Sequence, residues 1–267
     1  MLFFCLGGSV FIDEIIRKGL EEDIGSGDIT TRYLDLEPQS NIAYIIPKEA
    51  GVLAGVDIAR LVFRMVDPEL KIVLYNKDGD KVIPDDEIMR LEGRPSSILQ
   101  GERTALNFMQ RLSGIATKTA KFVSLLEGTN VKLLDTRKTT PLLRSLEKYA
   151  VRVGGGYNHR FGLFDMVLIK ENHIRACGSI TEAVNRIRKH NTSYKIEVEV
   201  TNLKEVDEAA KAKVDRIMLD NMTPAQIRKA VKKYKDVLEF EVSGGITEDN
   251  IRSFAETGVQ FISSVAL

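Results

Sequence analysis

The 267-residue chain has the length and composition of a globular protein with one large or two small domains. Hydrophobic residues make up 43% of the sequence and charged residues 28%, and 38 Lys and Arg balance 38 Asp and Glu. This composition excludes a disordered or low-complexity chain, and the zero net charge excludes a global field that attracts nucleic acid or anionic lipid. Any anion-binding site must therefore come from a local group of charges.

The cysteines and the N-terminus predict a soluble, cytoplasmic protein. Cys5 and Cys177 show none of the paired spacings of disulfide frameworks or zinc sites, which favours a reducing compartment. The apolar stretch from Met1 to Ile12 lacks the basic leading segment and the cleavage site of a signal peptide, so we expect it to pack on the protein. No apolar run in the sequence reaches the roughly 18 residues that a membrane span needs.

The first half of the chain predicts an α+β domain with a mainly antiparallel sheet. Helices are predicted over Phe11 to Glu22 and over Asp57 to Val66, where apolar residues recur at helical spacing. The predicted strands are Asn41 to Ile46, Gly51 to Ala54, Lys71 to Tyr75 and Glu87 to Leu91. After Pro95 a helical segment runs from Ser96 to Leu126, with a predicted interruption near Ser113 and Gly114. We place a domain boundary there, between residues 1–112 and 113–267.

After residue 127, near-continuous apolar strands alternate with amphipathic helical stretches, a pattern typical of parallel βα units. The predicted strands are Val131 to Leu134, Met166 to Ile169, Ile196 to Val200, Arg216 to Leu219, Leu238 to Val242 and Phe261 to Ser264. An eight-unit βα barrel usually takes about 250 residues, and far fewer remain. The sequence therefore predicts an incomplete α/β barrel of about six parallel strands behind an N-terminal α+β sandwich domain.

Polar residues follow every predicted barrel strand, at the end where the active sites of such folds collect. Asp220 could be a candidate ligand or only the N-cap of the next helix. The run Ser243-Gly244-Gly245 could be a tight turn or a cradle of backbone amides for a phosphate. Glu199 shares a strand face with Glu197, so a carboxylate is predicted inside the barrel, where it needs a metal or another cation as partner.

Residues 137–170 carry a local excess of positive charge. Arg144 and Lys148, four apart on a helix, are interpreted as a solvated face. Five other basic side chains lie at strand ends or beside the run Gly154-Gly155-Gly156, and they are Arg137, Lys138, His159, Arg160 and Lys170. Guanidinium groups bind carboxylates and phosphates through paired hydrogen bonds, so this group predicts a polyanionic substrate.

The histidines taken singly indicate little. His159 taken alone is more typical of a packed side chain than of a catalyst, and His173 suits a supporting position behind the site. His190, in Arg-Lys-His-Asn, suits a helix end or the surface.

Seven motifs in one order resemble the quinolinate phosphoribosyltransferase family, also called nicotinate-nucleotide pyrophosphorylase (carboxylating), and the similarity runs from about residue 20 to 266. These motifs are Glu22-Asp23-Ile24-Gly25-Ser26-Gly27-Asp28-Ile29-Thr30-Thr31, Glu102-Arg103-Thr104-Ala105-Leu106-Asn107, Leu112-Ser113-Gly114-Ile115-Ala116-Thr117, Asp135-Thr136-Arg137-Lys138-Thr139, Gly154-Gly155-Gly156-Tyr157-Asn158-His159-Arg160, Ile169-Lys170-Glu171-Asn172-His173 and Glu197-Val198-Glu199-Val200.

The resemblance implies an N-terminal α/β sandwich domain and an incomplete α/β barrel. It also implies an NAD-biosynthetic reaction in which quinolinate and phosphoribosyl pyrophosphate give nicotinate mononucleotide, pyrophosphate and carbon dioxide. The expected cofactor is Mg²⁺, with no organic cofactor, and the expected assembly is a homodimer or higher homo-oligomer with shared active sites. Nucleic acid and membrane are not expected partners.

The resemblance also implies roles for individual residues. Lys138, Lys170, Glu199 and Asp220 are the expected catalytic residues, and Glu199 and Asp220 would face the ribose and the Mg²⁺-bound pyrophosphate. Arg103 would be offered across a dimer interface. The residues that would hold quinolinate are Arg103, Arg137, His159, Arg160 and Lys170. Lys138 would reach toward both substrates, and Thr136 would be a further substrate-binding residue. The 5′-phosphate site would hold Ser243, Gly244, Gly245, Ser264, Val265 and Ala266. Val265 departs from the family's usual glycine, and a Cβ there restricts both backbone conformation and approach to a phosphate.

Three other functions remain open at this point. Lys170 at the end of a barrel strand could form a Schiff base with a carbonyl substrate, as in aldolases. A related phosphoribosyltransferase acting on another base, such as the molybdenum-associated paralogue, would share most of the motifs. A metabolite-binding protein could retain the pocket without turnover.

Overall fold

The computed structural model describes residues 9–36, 40–190 and 193–267, and the first eight residues of the predicted N-terminal packing segment lie outside this range. The chain forms two compact units, Met1–Lys118 with Thr140–Gly154 and Thr119–Thr139 with Gly155–Leu267. The predicted domain limits, 1–112 and 113–267, stay a prediction. Within the described ranges, no helix has the length and apolar character needed to cross a membrane.

The first unit combines helices with short antiparallel strands. Its helices are α1 (Ser9–Ile24), α2 (Ile29–Tyr33), α3 (Val56–Val66), most of α4 (Pro95–Leu125) and α5 (Arg144–Val153), and its strands are β1 (Asn41–Ile45), β2 (Gly51–Val52), β3 (Lys71–Leu74), β4 (Lys81–Val82) and β5 (Met89–Gly93). Strands β1, β5 and β3 form one antiparallel sheet with β5 in the centre, and β2 pairs with β4. The predicted antiparallel α+β domain is confirmed.

Helix α4 is continuous, so the predicted interruption near Ser113 and Gly114 is wrong. The Ser113 hydroxyl accepts a hydrogen bond from Ala54 N (3.0 Å) and donates one to Ala54 O (3.1 Å). One turn later, Thr117 Oγ1 accepts a hydrogen bond from Val52 N (2.8 Å). These polar residues therefore attach the segment around β2 to the helix and do not break it.

The solvated face predicted on α5 is also wrong, because Lys148 is only 3% exposed. The neighbouring Glu147 is buried as well, and it accepts hydrogen bonds from Arg111 Nε (2.9 Å) and Thr140 N (3.2 Å). Spacing along the helix does not distinguish an exposed charged face from one that is covered by the rest of its own unit.

Asp67, at the C-terminal end of α3, ties that helix to the start of α4. Its carboxylate accepts hydrogen bonds from Ser97 Oγ (2.7 Å) and Arg94 Nη2 (2.8 Å), and these contacts lower the pKa of Asp67 to about 2. Asp67→Asn is expected to lower the free energy of unfolding by about 2 kcal/mol at neutral pH.

A depressed pKa stabilises the fold above the unfolded-state value, so the Asp67 contribution is lost as pH falls from about 4 towards 2. The difference between wild type and Asp67→Asn in urea unfolding should therefore shrink over this range. Equal unfolding free energies at pH 7 would contradict the assignment.

The second unit is a parallel βα structure. Its strands are β6 (Lys132–Leu134), β7 (Val167–Ile169), β8 (Ile196–Val200), β9 (Arg216–Asp220), β10 (Glu239–Ser243) and β11 (Phe261–Ser263), and its further helices are α6 (Glu171–Cys177), α7 (Ile180–Arg188), α8 (Leu203–Lys211), α9 (Pro224–Tyr234) and α10 (Ile251–Ala255). The strand order is β6-β11-β10-β9-β8-β7, and every pair is parallel. The predicted incomplete barrel of six parallel strands is confirmed.

The two faces of this sheet differ in polarity. Apolar residues at alternate positions, such as Val198, Ile217 and Phe240, lie in the hydrophobic core that the helices share. The intervening positions point to the barrel interior and include Glu197, Glu199, Arg216, Glu239 and Glu241. Branched apolar residues dominate the interior of an eight-stranded βα barrel, whereas this interior is charged.

The barrel has an open seam, because β6 and β7 are the two edges of the sheet. Residues 157–160, here called the seam segment, lie along this opening. Tyr157 N donates a hydrogen bond to Leu133 O (2.8 Å) on β6, and Arg160 Nη1 donates one to Met166 O (3.2 Å) just before β7. The seam segment is therefore connected to both edge strands.

Candidate active site

A cavity of about 660 Å³ opens at the carboxyl ends of the barrel strands, within the second unit. Twelve of the predicted site residues line it, namely Thr136, Arg137, Lys138, His159, Arg160, Lys170, Glu199, Asp220, Ser243, Gly244, Gly245 and Val265. Its size is in the usual range for a small-molecule site.

The strand order sorts the lining residues by charge. Arg137 and Lys138 follow β6, the seam segment comes next around the barrel, and Lys170 follows β7. The basic side chains of these three stretches are here called the cationic arc. Glu199 on β8 and Asp220 at the end of β9 form an acidic arc. Serines and glycines after β10 and β11 complete the ring.

Two arginines of the cationic arc, Arg137 and Arg160, lie close together in the cavity. Burial and the nearby positive charge of Arg137 hold the pKa of Arg160 below its ordinary value. Two guanidinium groups brought close together in a cavity are stabilised by an anion between them. This pair therefore favours a ligand with more than one negative charge.

Asp135 holds the seam segment against the end of β6. Its buried carboxylate accepts hydrogen bonds from Asn158 Nδ2 (2.5 Å) and His159 N (2.9 Å). These contacts join the loop that carries Arg137 to the segment that carries Arg160. Asp135 opens one of the seven motifs, but no sequence pattern indicates this role.

Lys170 Nζ forms an ion pair and a hydrogen bond with Glu199 Oε2 across the ends of β7 and β8. The predicted barrel-facing carboxylate at position 199 thus has a cationic side chain as partner. Behind it, His173 Nδ1 accepts a hydrogen bond from Lys170 N (3.0 Å), which places His173 in the supporting position expected from the sequence. His190 is exposed just beyond the end of α7.

Asp220 faces the cavity and does not cap the next helix, because the N-cap of α9 is Thr223. Burial, together with the negative charge of Glu199, raises the pKa of Asp220. Asn221 Nδ2 donates a hydrogen bond to Asp220 Oδ2 (2.8 Å) from a backbone with φ of 53°. Asn221 therefore orients the carboxylate at the cost of a left-handed backbone, which asparagine adopts more readily than most residues.

The loop after β10 has left-handed backbone at Gly244 (φ 91°) and Gly245 (φ 62°). A Cβ on Gly244 would collide with the Asn221 side chain and lie 3.0 Å from Asn221 N. Two consecutive glycines in this conformation turn backbone amides towards a cavity, as in anion-binding nests. This loop is therefore a candidate phosphate-binding site.

The loop after β11 is less uniform than predicted. Val265 lines the cavity, and it is not among the five described non-glycine residues with positive φ, so its Cβ is compatible with this backbone. Ser264 is buried, with its hydroxyl accepting a hydrogen bond from Ala266 N (3.1 Å), and Ala266 packs against the hydrophobic core. Neither Ser264 nor Ala266 is part of the cavity lining among the described residues.

Arg103 is the remaining predicted site residue. It lies exposed on α4 in the first unit, whereas all the lining residues belong to the second unit.

A buried charged group surrounds His159 at the base of the cavity. His159 Nε2 lies 3.0 Å from Glu197 Oε2 and 3.3 Å from Glu241 Oε2. Burial raises the pKa of Glu197. Burial by itself would lower the pKa of His159, but the two carboxylates raise it to about 9.

Seven further lining residues were not among the predicted site residues, namely Asp135, Leu168, Met218, Asn221, Glu241, Ile246 and Ser263. The clearest missed signal is Glu-Phe-Glu-Val-Ser at 239–243, which repeats the alternation already noted at 196–200. That pattern places Glu241 inside the barrel by the same reasoning that places Glu197 there.

Comparison with known proteins agrees with this architecture. The model of the quinolinate phosphoribosyl transferase N-terminal domain matches residues 28–113, and that of the C-terminal domain matches residues 115–267. The chain belongs to the quinolinate phosphoribosyltransferase family. Together the two matches span residues 28–267 apart from residue 114.

Individual relatives of this quinolinate phosphoribosyltransferase family member are similar over nearly their whole length. A probable nicotinate-nucleotide pyrophosphorylase (carboxylating) of Bacillus subtilis is 46% identical over 94% of this chain and 87% of its own. One from Synechocystis is 43% identical over 98% and 90%. The solved nicotinate-nucleotide pyrophosphorylase of Francisella tularensis superposes with a TM-score of 0.92 at 45% identity, covering 96% of this chain and 91% of its own.

Proposed function

We propose that this chain converts quinolinate and phosphoribosyl pyrophosphate to nicotinate mononucleotide, pyrophosphate and carbon dioxide. The observation that carries the proposal is the division of one cavity into a cationic arc, an acidic arc and a glycine-rich phosphate loop. The cationic arc complements the charge of a planar dicarboxylate, and the acidic arc complements a ribose that gains positive charge. The glycine-rich loop suits a 5′-phosphate.

The cationic arc binds quinolinate in this proposal. Arg137 and Arg160 each offer a planar fork of donors that fits a carboxylate, and Lys138 adds a compact charge between the base and the phosphates. Binding the dianion relieves the repulsion between the two guanidinium groups. The arc therefore fixes the ring nitrogen relative to the ribose, which is the entropic part of catalysis.

The acidic arc stabilises the reacting ribose. Departure of pyrophosphate builds positive charge at the anomeric carbon, and Glu199 and Asp220 supply negative charge beside it. Lys170, held by Glu199, and Lys138 are placed to neutralise negative charge on the leaving group. The ring nitrogen then forms the bond to the anomeric carbon as the bond to pyrophosphate breaks.

The donor set of the acidic arc fits Mg²⁺, which prefers carboxylate oxygens. Burial and then the negative charge of Glu199 raise the pKa of Asp220, and a cation between these two carboxylates would relieve both effects. We propose that Glu199 and Asp220 would hold Mg²⁺ mainly through the bound pyrophosphate, where the ion neutralises charge on the leaving group.

Decarboxylation needs no organic cofactor in this scheme. Once the nitrogen is alkylated, the pyridinium ring accepts the electron pair released when the adjacent carboxylate leaves as carbon dioxide, and the ring carbon then takes a proton. The cationic arc binds the remaining carboxylate during this step. The protein's contribution is position and charge.

The direct test is an assay of the purified protein with quinolinate, phosphoribosyl pyrophosphate and Mg²⁺. Formation of nicotinate mononucleotide with equal amounts of pyrophosphate and carbon dioxide is expected. Binding of quinolinate without turnover would indicate a metabolite-binding protein, and turnover of another base in its place would indicate a related phosphoribosyltransferase. Either result would overturn the proposal.

The Schiff-base alternative is disfavoured by the contact between Lys170 and Glu199. An ammonium group held in an ion pair has no lone pair with which to attack a carbonyl. Borohydride treatment with a keto-sugar phosphate is expected to leave Lys170 unmodified.

The phosphate loop gives a prediction of its own. Gly244→Ala is expected to raise the KM for phosphoribosyl pyrophosphate by at least about tenfold, because the added Cβ meets Asn221 and a left-handed alanine costs roughly 1–2 kcal/mol. Steady-state kinetics with each substrate varied would measure this effect. Gly79→Ala is the matched control, since Gly79 has φ of 95° and open space around it. Equal effects of the two substitutions on KM would contradict the assignment.

We also propose that the active protein is a homo-oligomer, at least a dimer, and that Arg103 of one subunit completes the cavity of another. Two observations support this: Arg103 is exposed on α4, and every residue that lines the cavity belongs to the second unit. The family resemblance assigns Arg103 to quinolinate binding across an interface.

A further inference from the structure

Below the acidic arc, the barrel interior contains a buried charged group that the proposed mechanism does not use. Glu197, Arg216 and Glu241 surround His159 there, and these four side chains are here called the barrel-floor cluster. Glu197 and Glu241 are 1% and 0% exposed. Such a cluster in a place that apolar residues normally fill requires a reason.

The cluster holds the imidazole ring of His159 at both nitrogens. Nε2 faces Glu197 and Glu241 at 3.0 and 3.3 Å, and Nδ1 accepts a hydrogen bond from Arg160 N at 2.7 Å. In the neutral ring, in which Nδ1 accepts from Arg160 N, the proton is on Nε2, and the charged ring carries a proton on Nε2 as well. In both forms an N–H therefore lies beside the two carboxylates. The orientation of the ring is therefore fixed by protein groups before any ligand arrives.

Glu197 gains little stability from its burial. Within the described residues, its ion-pair partner is His159, and neither of its carboxylate oxygens has a partner with hydrogen-bond geometry. A buried carboxylate with an unpaired oxygen costs free energy relative to an apolar side chain of the same size. Glu241 differs, because Arg216 Nη1 also lies 3.5 Å from its carboxylate and Arg216 stacks on Phe261.

The position of Glu197 limits what it can do directly. It is not part of the cavity lining among the described residues, whereas His159 and Glu241 are. An effect of Glu197 on the ligand must therefore pass through His159 or Glu241. The geometry favours His159. Its Nε2 lies 3.0 Å from Glu197 Oε2 and can carry a proton, whereas Glu241 is itself an acceptor.

We propose that Glu197 is a positioning residue that, together with Glu241, fixes the His159 ring in the orientation required at the quinolinate end of the cavity. The proposal rests on the proposed function, because it assigns quinolinate to the arc that contains His159. It adds one residue behind the binding surface, Glu197, whose burial contributes little to the stability of the fold.

Glu197→Met tests the proposal, because it keeps the length of the side chain and removes the carboxylate. The KM for quinolinate is expected to rise about tenfold or more. This rise corresponds to the loss of one hydrogen bond between the His159 ring and charged quinolinate. The KM for phosphoribosyl pyrophosphate should stay within about twofold. The thermal midpoint should be unchanged or higher, since a poorly paired buried charge has been removed. Glu197→Gln keeps an acceptor for Nε2–H and should recover most of the quinolinate affinity.

A double-mutant cycle with His159→Ala separates positioning from a general structural effect. If Glu197 acts through His159, Glu197→Met adds no further loss of quinolinate affinity once His159 is alanine. Additive losses would overturn the proposal. The matched control is Glu239→Gln, because Glu239 contacts Arg216 (3.2 Å) from the same strand as Glu241 but lies outside the cavity lining of the described residues, so the KM for quinolinate should not change.

The outcomes also distinguish this proposal from the proposed function. A wild-type protein without turnover of quinolinate would contradict the function itself. An active wild type whose Glu197→Met variant has a normal KM for quinolinate would contradict only the positioning role. Should Glu197→Met fail to fold, Glu197→Asp retracts the carboxylate by one methylene, and a normal KM for quinolinate in that variant would equally overturn the proposal.

Discussion

Arg137→Ala and Arg160→Ala are each expected to lower kcat/KM for quinolinate by at least about 100-fold. Each substitution removes a charge-assisted, paired contact worth about 3 kcal/mol, and each factor of ten corresponds to about 1.4 kcal/mol. The fold should persist, because both side chains face the cavity and leave the hydrophobic core untouched. Steady-state kinetics together with circular dichroism would measure both effects.

Lysine at the same two positions provides a graded comparison. It keeps the positive charge but loses the planar fork, so Arg137→Lys and Arg160→Lys should retain activity between that of the alanine variants and wild type. Arg228→Ala is the control for removing an arginine, because Arg228 is exposed on α9. Lys170→Ala should also be inactive, and near-normal turnover in any two of the three alanine variants at 137, 160 and 170 would refute the site.

Arg103→Ala and Lys170→Ala are each expected to be nearly inactive alone and to regain activity when mixed. In a two-fold symmetric dimer with shared sites, a mixed dimer contains one site with both residues intact and one site with neither. If subunits re-associate at random, half of the dimers are mixed and half of their sites are active, so about a quarter of wild-type activity is expected. The assay follows nicotinate mononucleotide after the two variants are unfolded and refolded together.

Two controls make the mixing experiment decisive. Each variant refolded alone should stay inactive, and Arg137→Ala mixed with Lys170→Ala should not recover, because both of these residues line the cavity of one chain. Recovery in that second mixture, or no recovery in the first, would contradict a shared site formed by Arg103.

The parallel half of the fold was predictable because its signals are local. A buried parallel strand is a short apolar run bounded by turn residues, and each of the six runs formed a strand within one residue of the predicted bounds at almost every end. Ligand sites of such folds lie at the carboxyl ends of the strands, so most of the cavity lining could be predicted once the strands were located. The charge asymmetry of residues 137–170 then indicated the polyanionic ligand.

The errors arose where the deciding contact is distant in sequence. Ser113 looked like a helix break, but its partner Ala54 lies 59 residues earlier. Lys148 looked solvated, and no local pattern reports that it is covered. Asp135 accepts hydrogen bonds from Asn158 and His159, which lie 23 and 24 residues later, so its role becomes visible only in three dimensions.

The unclosed edge of the barrel also accounts for the density of positive charge at its mouth. In a regular strand, consecutive side chains point to opposite faces, so a strand can present only every second residue to a ligand. The seam segment has no such restriction, and the adjacent residues His159 and Arg160 both reach the cavity. A closed barrel would have a strand in place of this irregular segment, and only one of the two side chains could then face the cavity. The open seam therefore allows a higher density of charged side chains around a small ligand.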